Sequence, residues 1–378
     1  MVSSEKKYLM IDCQRHLGFN NILFVLQMGI SVARLLHRTL AFSSHIRMRR
    51  CDHNALCQKS VCQRHEGEYH CPFTQFFDPA NLAEAGVELI QDEAVLLNTL
   101  PAYHDLTAFD EFYNPGTIVI DQIPRDAAGH ILPRFSYYQV HFSCECSPTK
   151  IFESVWNGPS IHPKTNTSRK LIEITKRYEH VHDPVLYLHG TPHRIGRTPT
   201  FFSSEATLLS SVHWWVHGTT YHRDVEAHAR QLVGLILGKS QRKSFTCVHL
   251  RRDDFTDLGW NKKALNLEHV IERTKSFMRA GEALYIATDE DKLETLDLLR
   301  QFGALFWVDF QDTMIAQATP SVAMLGFKDY VGLIEQKACA VARSFLGTHC
   351  SSFSGTIVSM RRQLVGDGVL EVIADEIF

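Results

Sequence analysis

No apolar run in this chain approaches the length of a membrane span, and no apolar h-region opens it. Charge of one sign is also missing. Its 39 Lys and Arg stand against 42 Asp and Glu, a net charge of −3 that offers no general attraction to nucleic acid or anionic lipid. Any phosphate binding must therefore come from local arginine placement. Neither a Walker-type P-loop nor a G-x-G-x-x-G fingerprint occurs, so the two commonest glycine-loop nucleotide sites are excluded. The serines lack a nucleophile-elbow context, so hydrolase chemistry is not indicated. No internal repeat or low-complexity tract is visible.

Cysteine, by contrast, is plentiful, with ten in the chain. Cys51, Cys57, Cys62 and Cys71 fall close together in a polar segment that also holds His53, His65 and His70. No C-x-x-C pair is present to favour zinc, so disulfides stapling an insertion at about 44–80 are the preferred reading, with zinc and reduced thiols as the alternatives. Cys144 and Cys146 form a second group, and Asn166-Thr167-Ser168 is a glycosylation sequon. The compartment expectation divides. The cysteines and sequon point to the secretory pathway (ER or Golgi lumen) if the N-terminus is trimmed; the missing leader points to the cytoplasm otherwise.

With 378 residues, 44% of them hydrophobic and 21% charged, the chain reads as a soluble globular protein of two α/β domains. Lys7–Asp12 is a first strand, Gly18–Asn21 a tight turn, and Ile22–Arg38 a helix with apolar residues at helical spacing. Thr39–Phe42, Gly86–Ile90, Thr117–Asp121 and Val185–Leu188 are further strands, while most of Trp156–Pro199 reads as loop. A helix spans Arg223–Leu237, and Gly238-Lys239-Ser240 marks a break, which places the domains at 1–238 and 239–378. The second half alternates cleanly. Strands end at His249, Asp289, Asp309 and Thr348, and helices lie near Leu267–Met278, from Asp291, and over Tyr330–Arg343. Such alternation is the signature of a parallel sheet with helices on both faces.

Four strand-end segments carry the chemistry. His249-Leu250-Arg251-Arg252-Asp253-Asp254-Phe255 sets two guanidinium groups where ligands bind in open α/β sheets, and arginine grips phosphate through two parallel donors. The bland alternative is a solvated cluster in which the two Arg and two Asp neutralise one another. Gly18-Phe19-Asn20-Asn21 joins a strand to a helix, where Asn offers donor and acceptor together, or merely caps the helix. Thr288-Asp289-Glu290 presents a carboxylate suited to a guanine edge or a ribose hydroxyl, or to a helix cap. Gly347-Thr348-His349-Cys350-Ser351-Ser352-Phe353-Ser354 runs from a strand into an apolar helix, an anion site made of hydroxyls and free N–H groups.

In this order, with Arg38-Thr39-Leu40 after the first helix, these segments resemble the GDP-fucose protein O-fucosyltransferase family across roughly 8–42 and 245–362. The resemblance implies a GT-B enzyme, two Rossmann-like domains facing across a cleft, inverting and requiring no metal or other cofactor. GDP-fucose would be the donor and a protein Ser or Thr hydroxyl the acceptor. It implies that Arg251 contacts the diphosphate and that Asn20 sits by the β-phosphate and the sugar. Gly18, Phe19, Asn21, His249, Asp289, Ser351, Ser352, Phe353 and Ser354 would bind the donor. Two positions depart from the family pattern: Leu17 stands where some members carry a catalytic Glu, with His16 beside it, and Asp253 replaces a glycine. The alternatives are a glycan-directed fucosyltransferase of the same fold, or a nucleotide-sugar-binding protein that has lost catalysis.

Overall fold

The computed structural model describes residues 6–11, 18–48, 50–65, 67–106, 177–189, 214, 218–252, 266–317, 321–348, 351–366 and 374–377. His16, Leu17, the strand expected at Thr117–Asp121, Cys144, Cys146, the sequon, residues 190–199, Asp253–Phe255, His349 and Cys350 lie outside them. Two compact units emerge. One holds the described residues of 1–49, 61–144 and 149–222, the other those of 50–60 and 223–378.

The chain begins with β1 (Tyr8–Ile11), α1 (Phe19–Leu35), β2 (Thr39–Ser43), β3 (His45–Met48), α2 (Asn54–Cys57), β4 (Gln63–His65) and β5 (Glu68–Pro72). It continues through α3 (Pro79–Glu84), β6 (Val87–Ile90), α4 (Glu93–Thr99), β7 (Ala102–Asp105) and β8 (Val185–Leu188). Five strands form a wholly parallel sheet in the order β6-β2-β1-β8-β7. The strand order reverses at β1, whose carboxyl end leads to α1, and such a switch point is where open sheets take their ligands. Helix α1 is buried nearly all round, as expected of a core helix. Gly29 lets it approach β2, since a Cβ there would come within 2.9 Å of the Leu40 side chain. On another face of the sheet, Met10, Ala41 and Val185 pack with Leu96 and Leu97 of α4 and the following Leu100. Arg38 is buried and donates to the carbonyls of Tyr8 (3.1 Å), Val181 (2.8 Å) and Asp183 (2.9 Å), satisfying acceptors at two strand entrances.

The Cys/His-rich insertion has more structure than its sequence suggests. Strands β3, β5 and β4 make an antiparallel sheet, in which Ile46, Met48, Tyr69 and Cys71 turn inward. Its four cysteines pair as Cys51–Cys57 and Cys62–Cys71, as the disulfide reading requires. Among the described residues no group of three or more His, Cys, Asp or Glu is placed to hold a metal. Segment Arg50–Ser60 joins the second unit, where Cys51 pairs with Phe327 in a β-bridge.

The second unit contains α5 (Arg223–Gly238), β9 (Phe245–Leu250), α6 (Leu267–Phe277), β10 (Ala283–Thr288), α7 (Leu293–Gln301) and β11 (Ala304–Leu305). After them come α8 (Gln311–Gln317), α9 (Lys328–Ala340), β12 (Ser344–Gly347), α10 (Ser352–Gly366) and β13 (Ala374–Ile377). Its parallel sheet has the order β11-β10-β9-β12-β13, the doubly wound 3-2-1-4-5 pattern. The switch point falls between β9 and β12. Val248, Leu250, Leu284, Ile286 and Leu346 make one apolar face, covered by Val270 and Ile271 of α6 and by Leu296 and Leu299 of α7. On the other face, a third disulfide joins Cys247 of β9 to Cys339 of α9. Among the described residues no helix is long and apolar enough to cross a membrane.

Two boundaries differ from the sequence reading. The strand expected at Leu305–Asp309 shortens to Ala304–Leu305, because the Phe306 N–H bonds Asp309 Oδ2 at 2.7 Å and turns the chain into a 3₁₀ helix over Trp307–Asp309. Helix α5 belongs to the second unit, where it packs on α9, so the break at Gly238 falls inside that unit. Gly238-Lys239-Ser240 closes α5 within that unit. Ser240 Oγ donates to Gly281 O (3.1 Å) and accepts from Arg242 N (3.2 Å), which makes the triplet a turn.

A buried acid beneath this sheet sets a pH signature. Tyr285 Oη donates to Glu335 Oε1 at 2.7 Å between β10 and α9. Burial pushes the Glu335 carboxyl up to about 7, against the pull of the Tyr285 hydrogen bond and the Lys328 charge. With a folded-state value above the unfolded one of 4.5, this group favours the fold fully below pH 4.5. That contribution is withdrawn as pH rises to about 7, by on the order of 3 kcal/mol in all. Denaturant midpoints measured between pH 5 and 8 should therefore fall less in Glu335→Gln than in the parent. Equal slopes would remove this assignment.

Candidate active site

In the second unit the site is built where β9 and β12 end side by side. Register pairs His249 with Ala287 on one side and Gly347 on the other, so the residues after each strand emerge together. Thr348 locks the exit of β9. Its Oγ1 donates to His249 O (2.8 Å) and accepts from Arg251 N (2.9 Å). Thr288 repeats the device next door, donating to Leu250 O (2.7 Å) and accepting from Glu290 N (3.1 Å). Each hydroxyl satisfies a carbonyl and an N–H that the sheet no longer pairs.

The arginines leave this frame against two carboxylates. Arg251 Nε lies 3.0 Å from Asp289 Oδ2, and Arg252 Nε lies 3.2 Å from Glu290 Oε2. Asp289 Oδ1 accepts from Arg252 N at 2.9 Å, whereas Oδ2 meets Arg251 at an ion-pair distance without hydrogen-bond alignment. Lys328 Nζ reaches Asp289 O at 3.4 Å. The Asp289 side chain is 8% exposed and that of Arg251 30%, so a partly exposed arginine stands over a buried carboxylate.

The serine-rich segment caps α10. Ser351 O accepts from Gly355 N (3.0 Å), which makes Ser351 the residue before the first helical turn. Ser352 and Phe353 are half-buried at that turn, and Ser354 points inward. Its Oγ sits 2.7 Å from His249 Nδ1, and the Phe353 ring stacks on His249 at 4.3 Å and 20°. Gln336 Nε2 holds Phe353 O at 3.5 Å, and the ring edge lies against Gly332 of α9. Burial, and then the Arg251 charge, push the His249 imidazole down to about 3. His249 is therefore neutral at physiological pH, a spacer joining β9 to α10 and not a cation for phosphate.

In the first unit, the turn is shorter than the sequence suggested. Helix α1 starts at Phe19, with Gly18 as its extended N-cap and no capping side chain. Asn20 and Asn21 thus occupy the first helical turn, at the end where N–H groups point outward. Phe19, expected at the donor, is instead 5% exposed in an aromatic cluster with Phe76 (5.1 Å) and Phe77 (5.8 Å). Its ring anchors the turn. Arg251, Asp289, His249, Ser351, Ser352, Phe353 and Ser354 are gathered at the carboxyl end of one sheet, whereas Gly18, Asn20 and Asn21 follow the carboxyl end of β1 in the other. Sequence reasoning missed Thr348, Gln336 and Lys328 as supports. A threonine directly after a strand-ending Gly347 was the available signal.

A family model described as GDP-fucose protein O-fucosyltransferase matches residues 8–364, including the middle of the chain that the strand-end segments do not reach. Among curated proteins, none matches this sequence. A solved structure of POFUT1 in complex with GDP aligns over 100% of this chain and 99% of that one, at 15% identity and a TM-score of 0.50. POFUT1 in complex with GDP-fucose aligns over the same shares at 14% identity and 0.47, and the fucosyltransferase NodZ from Bradyrhizobium over 94% and 92% at 14% and 0.45. The first of these likenesses is one of fold, α/β with parallel sheets and of GT-B type. The chain belongs to the GDP-fucose protein O-fucosyltransferase family and is, by that membership, a GDP-fucose-dependent fucosyltransferase.

Proposed function

We propose that this chain transfers fucose, with inversion and without a metal ion, from GDP-fucose to a Ser or Thr hydroxyl of a protein acceptor. The observation that carries the reading is Arg251, locked by Thr348 at the β9–β12 switch point and set beside the N-terminus of α10. In the proposed step, the acceptor oxygen bonds to the anomeric carbon as the bond from that carbon to the β-phosphate oxygen breaks. The electron pair leaves on GDP, and the hydroxyl proton passes to the departing phosphate or to water. Charge thus grows on the β-phosphate, and fixed donors aimed there lower the barrier without reorganising.

Arg251 is the donor of choice, since its fork stays charged and spans two phosphate oxygens. The first N–H groups of α10, with Ser351 and Ser352, offer the second set. Phe353 is assigned to the base, with His249 stacked on its ring and Ser354 holding His249. Asn20, at the start of α1, is assigned to the sugar and β-phosphate, with Gly18 and Asn21 shaping the turn around it. Three disulfides support folding in an oxidising compartment, which in a cell is the secretory pathway. A thermal-shift screen across GDP-fucose, GDP-mannose and UDP sugars tests the donor. Stabilisation by the guanine nucleotides, greatest for GDP-fucose, is expected; a preference for UDP sugars would contradict the reading.

A further inference from the structure

We infer that Asp289 is a positioning residue that aims the Arg251 guanidinium, and that it does not contact the guanine or the ribose. The inference deepens the proposed function and rests on its assignment of Arg251 to the diphosphate. A carboxylate reading a base needs an oxygen turned toward the ligand. Both oxygens of Asp289 are turned toward the arginine loop instead: Oδ1 accepts from Arg252 N, and Oδ2 lies 3.0 Å from Arg251 Nε. The side chain is only 8% exposed, and Lys328 reaches the Asp289 backbone carbonyl from α9, which steadies the loop that carries it.

This arrangement meets a specific need. An arginine at a strand end has four rotatable side-chain bonds, and a diphosphate site gains most when the guanidinium is fixed before the ligand arrives. Asp289 pairs with it electrostatically on the Nε side and hydrogen-bonds the backbone of the next residue with its other oxygen. One side chain therefore orients both the loop and the charge it carries. Glu290 treats Arg252 in the same manner, with a side chain only 6% exposed. The consecutive Asp and Glu after β10 thus match the consecutive arginines after β9, strand end to strand end. This is why the charges do not merely cancel: the acids are buried, and Arg251 stays partly exposed.

Asp289→Asn preserves an oxygen for Arg252 N but sets an amide NH₂ against Arg251 Nε. A double-mutant cycle on GDP affinity, read by calorimetry, tests the coupling. Alone, Asp289→Asn should weaken GDP about tenfold, or roughly 1.4 kcal/mol. In the Arg251→Ala background, the same change should cost less than about twofold, because the residue it acts through is gone. The preference for GDP over ADP should stay as in the parent. Equal losses in both backgrounds, or a collapse of the GDP-over-ADP preference, would overturn the inference in favour of a base contact. Failure of the parent protein to bind GDP would sink the donor reading itself, a different result from additive losses in a protein that binds. Should Asp289→Asn not fold, Asp289→Glu keeps the charge and displaces it by one methylene. It is expected to lower kcat with base preference intact, and an unchanged kcat would count against the inference.

Discussion

Arg251→Ala is expected to lower GDP-fucose turnover by roughly 10²–10³-fold, the loss that follows removal of one fixed donor to a developing oxyanion. The size of the effect follows from position. Arg251 is held at its backbone N–H by Thr348 and its Nε is ion-paired with Asp289, so its charge is in place before the leaving group develops its own. Arg251→Lys should recover little. A lysine ammonium is a point charge on a flexible stem, and it offers neither the paired donors nor the edge that Asp289 holds. Steady-state kinetics with GDP-fucose check both variants, while the melting temperature without nucleotide shows whether they are folded. Turnover within about threefold of the parent would remove Arg251 from the mechanism, given the loss expected of such a donor.

The second large effect lies at the opposite end of the same sheet and concerns stability. Glu282, which precedes β10, has a side chain with no exposed surface, and it accepts from Arg343 through both Nε and Nη2. Ser244 Oγ (2.8 Å), Thr246 Oγ1 (3.3 Å) and Arg279 N (3.0 Å) also donate to it. Arg343 also donates to Phe277 O, so it ties the entrances of β10 and β12 to the end of α6. Arg343→Met leaves a buried carboxylate without its cation and should cost about 3–5 kcal/mol. Burial alone would raise the Glu282 carboxyl, but the Arg343 hydrogen bond, the Arg279 N–H, the Ser244 hydroxyl and the Arg343 charge carry it down to about 2. A folded value below the unfolded one of 4.5 means that this stabilisation is present above pH 4.5 and disappears as pH falls through about 2. Acid titration of chemical stability should show that loss in the parent and not in the double variant Glu282→Gln, Arg343→Met. Glu335 acts with the opposite sign near neutrality, so the two acids bracket the pH range of greatest stability from either side.

What the sequence made legible follows from burial. Strand β9 is buried at all six residues, Phe245–Leu250, and such strands read as unbroken apolar runs whose ends stand out. The arginines, Thr288-Asp289 and the serine segment are therefore legible at strand ends from the sequence alone. Their roles were less legible, because a role depends on what a side chain faces. That one oxygen of Asp289 accepts from Arg252 N while the other pairs with Arg251 is a contact across two strand ends, which the sequence cannot display. Phe19 reads as part of a binding turn until Phe76 and Phe77 are seen around it. The Cys247–Cys339 pair escaped because its partners are 92 residues apart, while the clustered cysteines drew attention through proximity alone. Strands β3–β5 escaped because β3 and β5 alternate over only four and five residues and β4 is three exposed residues, too short a period to separate from loop.

The measurement that bears most directly on the account is the GDP released from GDP-fucose by the purified, disulfide-bonded protein in the presence of a metal chelator. GDP and free or transferred fucose are expected in equal amounts, with GDP-mannose turned over far more slowly. A protein stabilised by GDP that forms no GDP from GDP-fucose at any enzyme concentration would contradict the account and leave a nucleotide-sugar-binding module in its place.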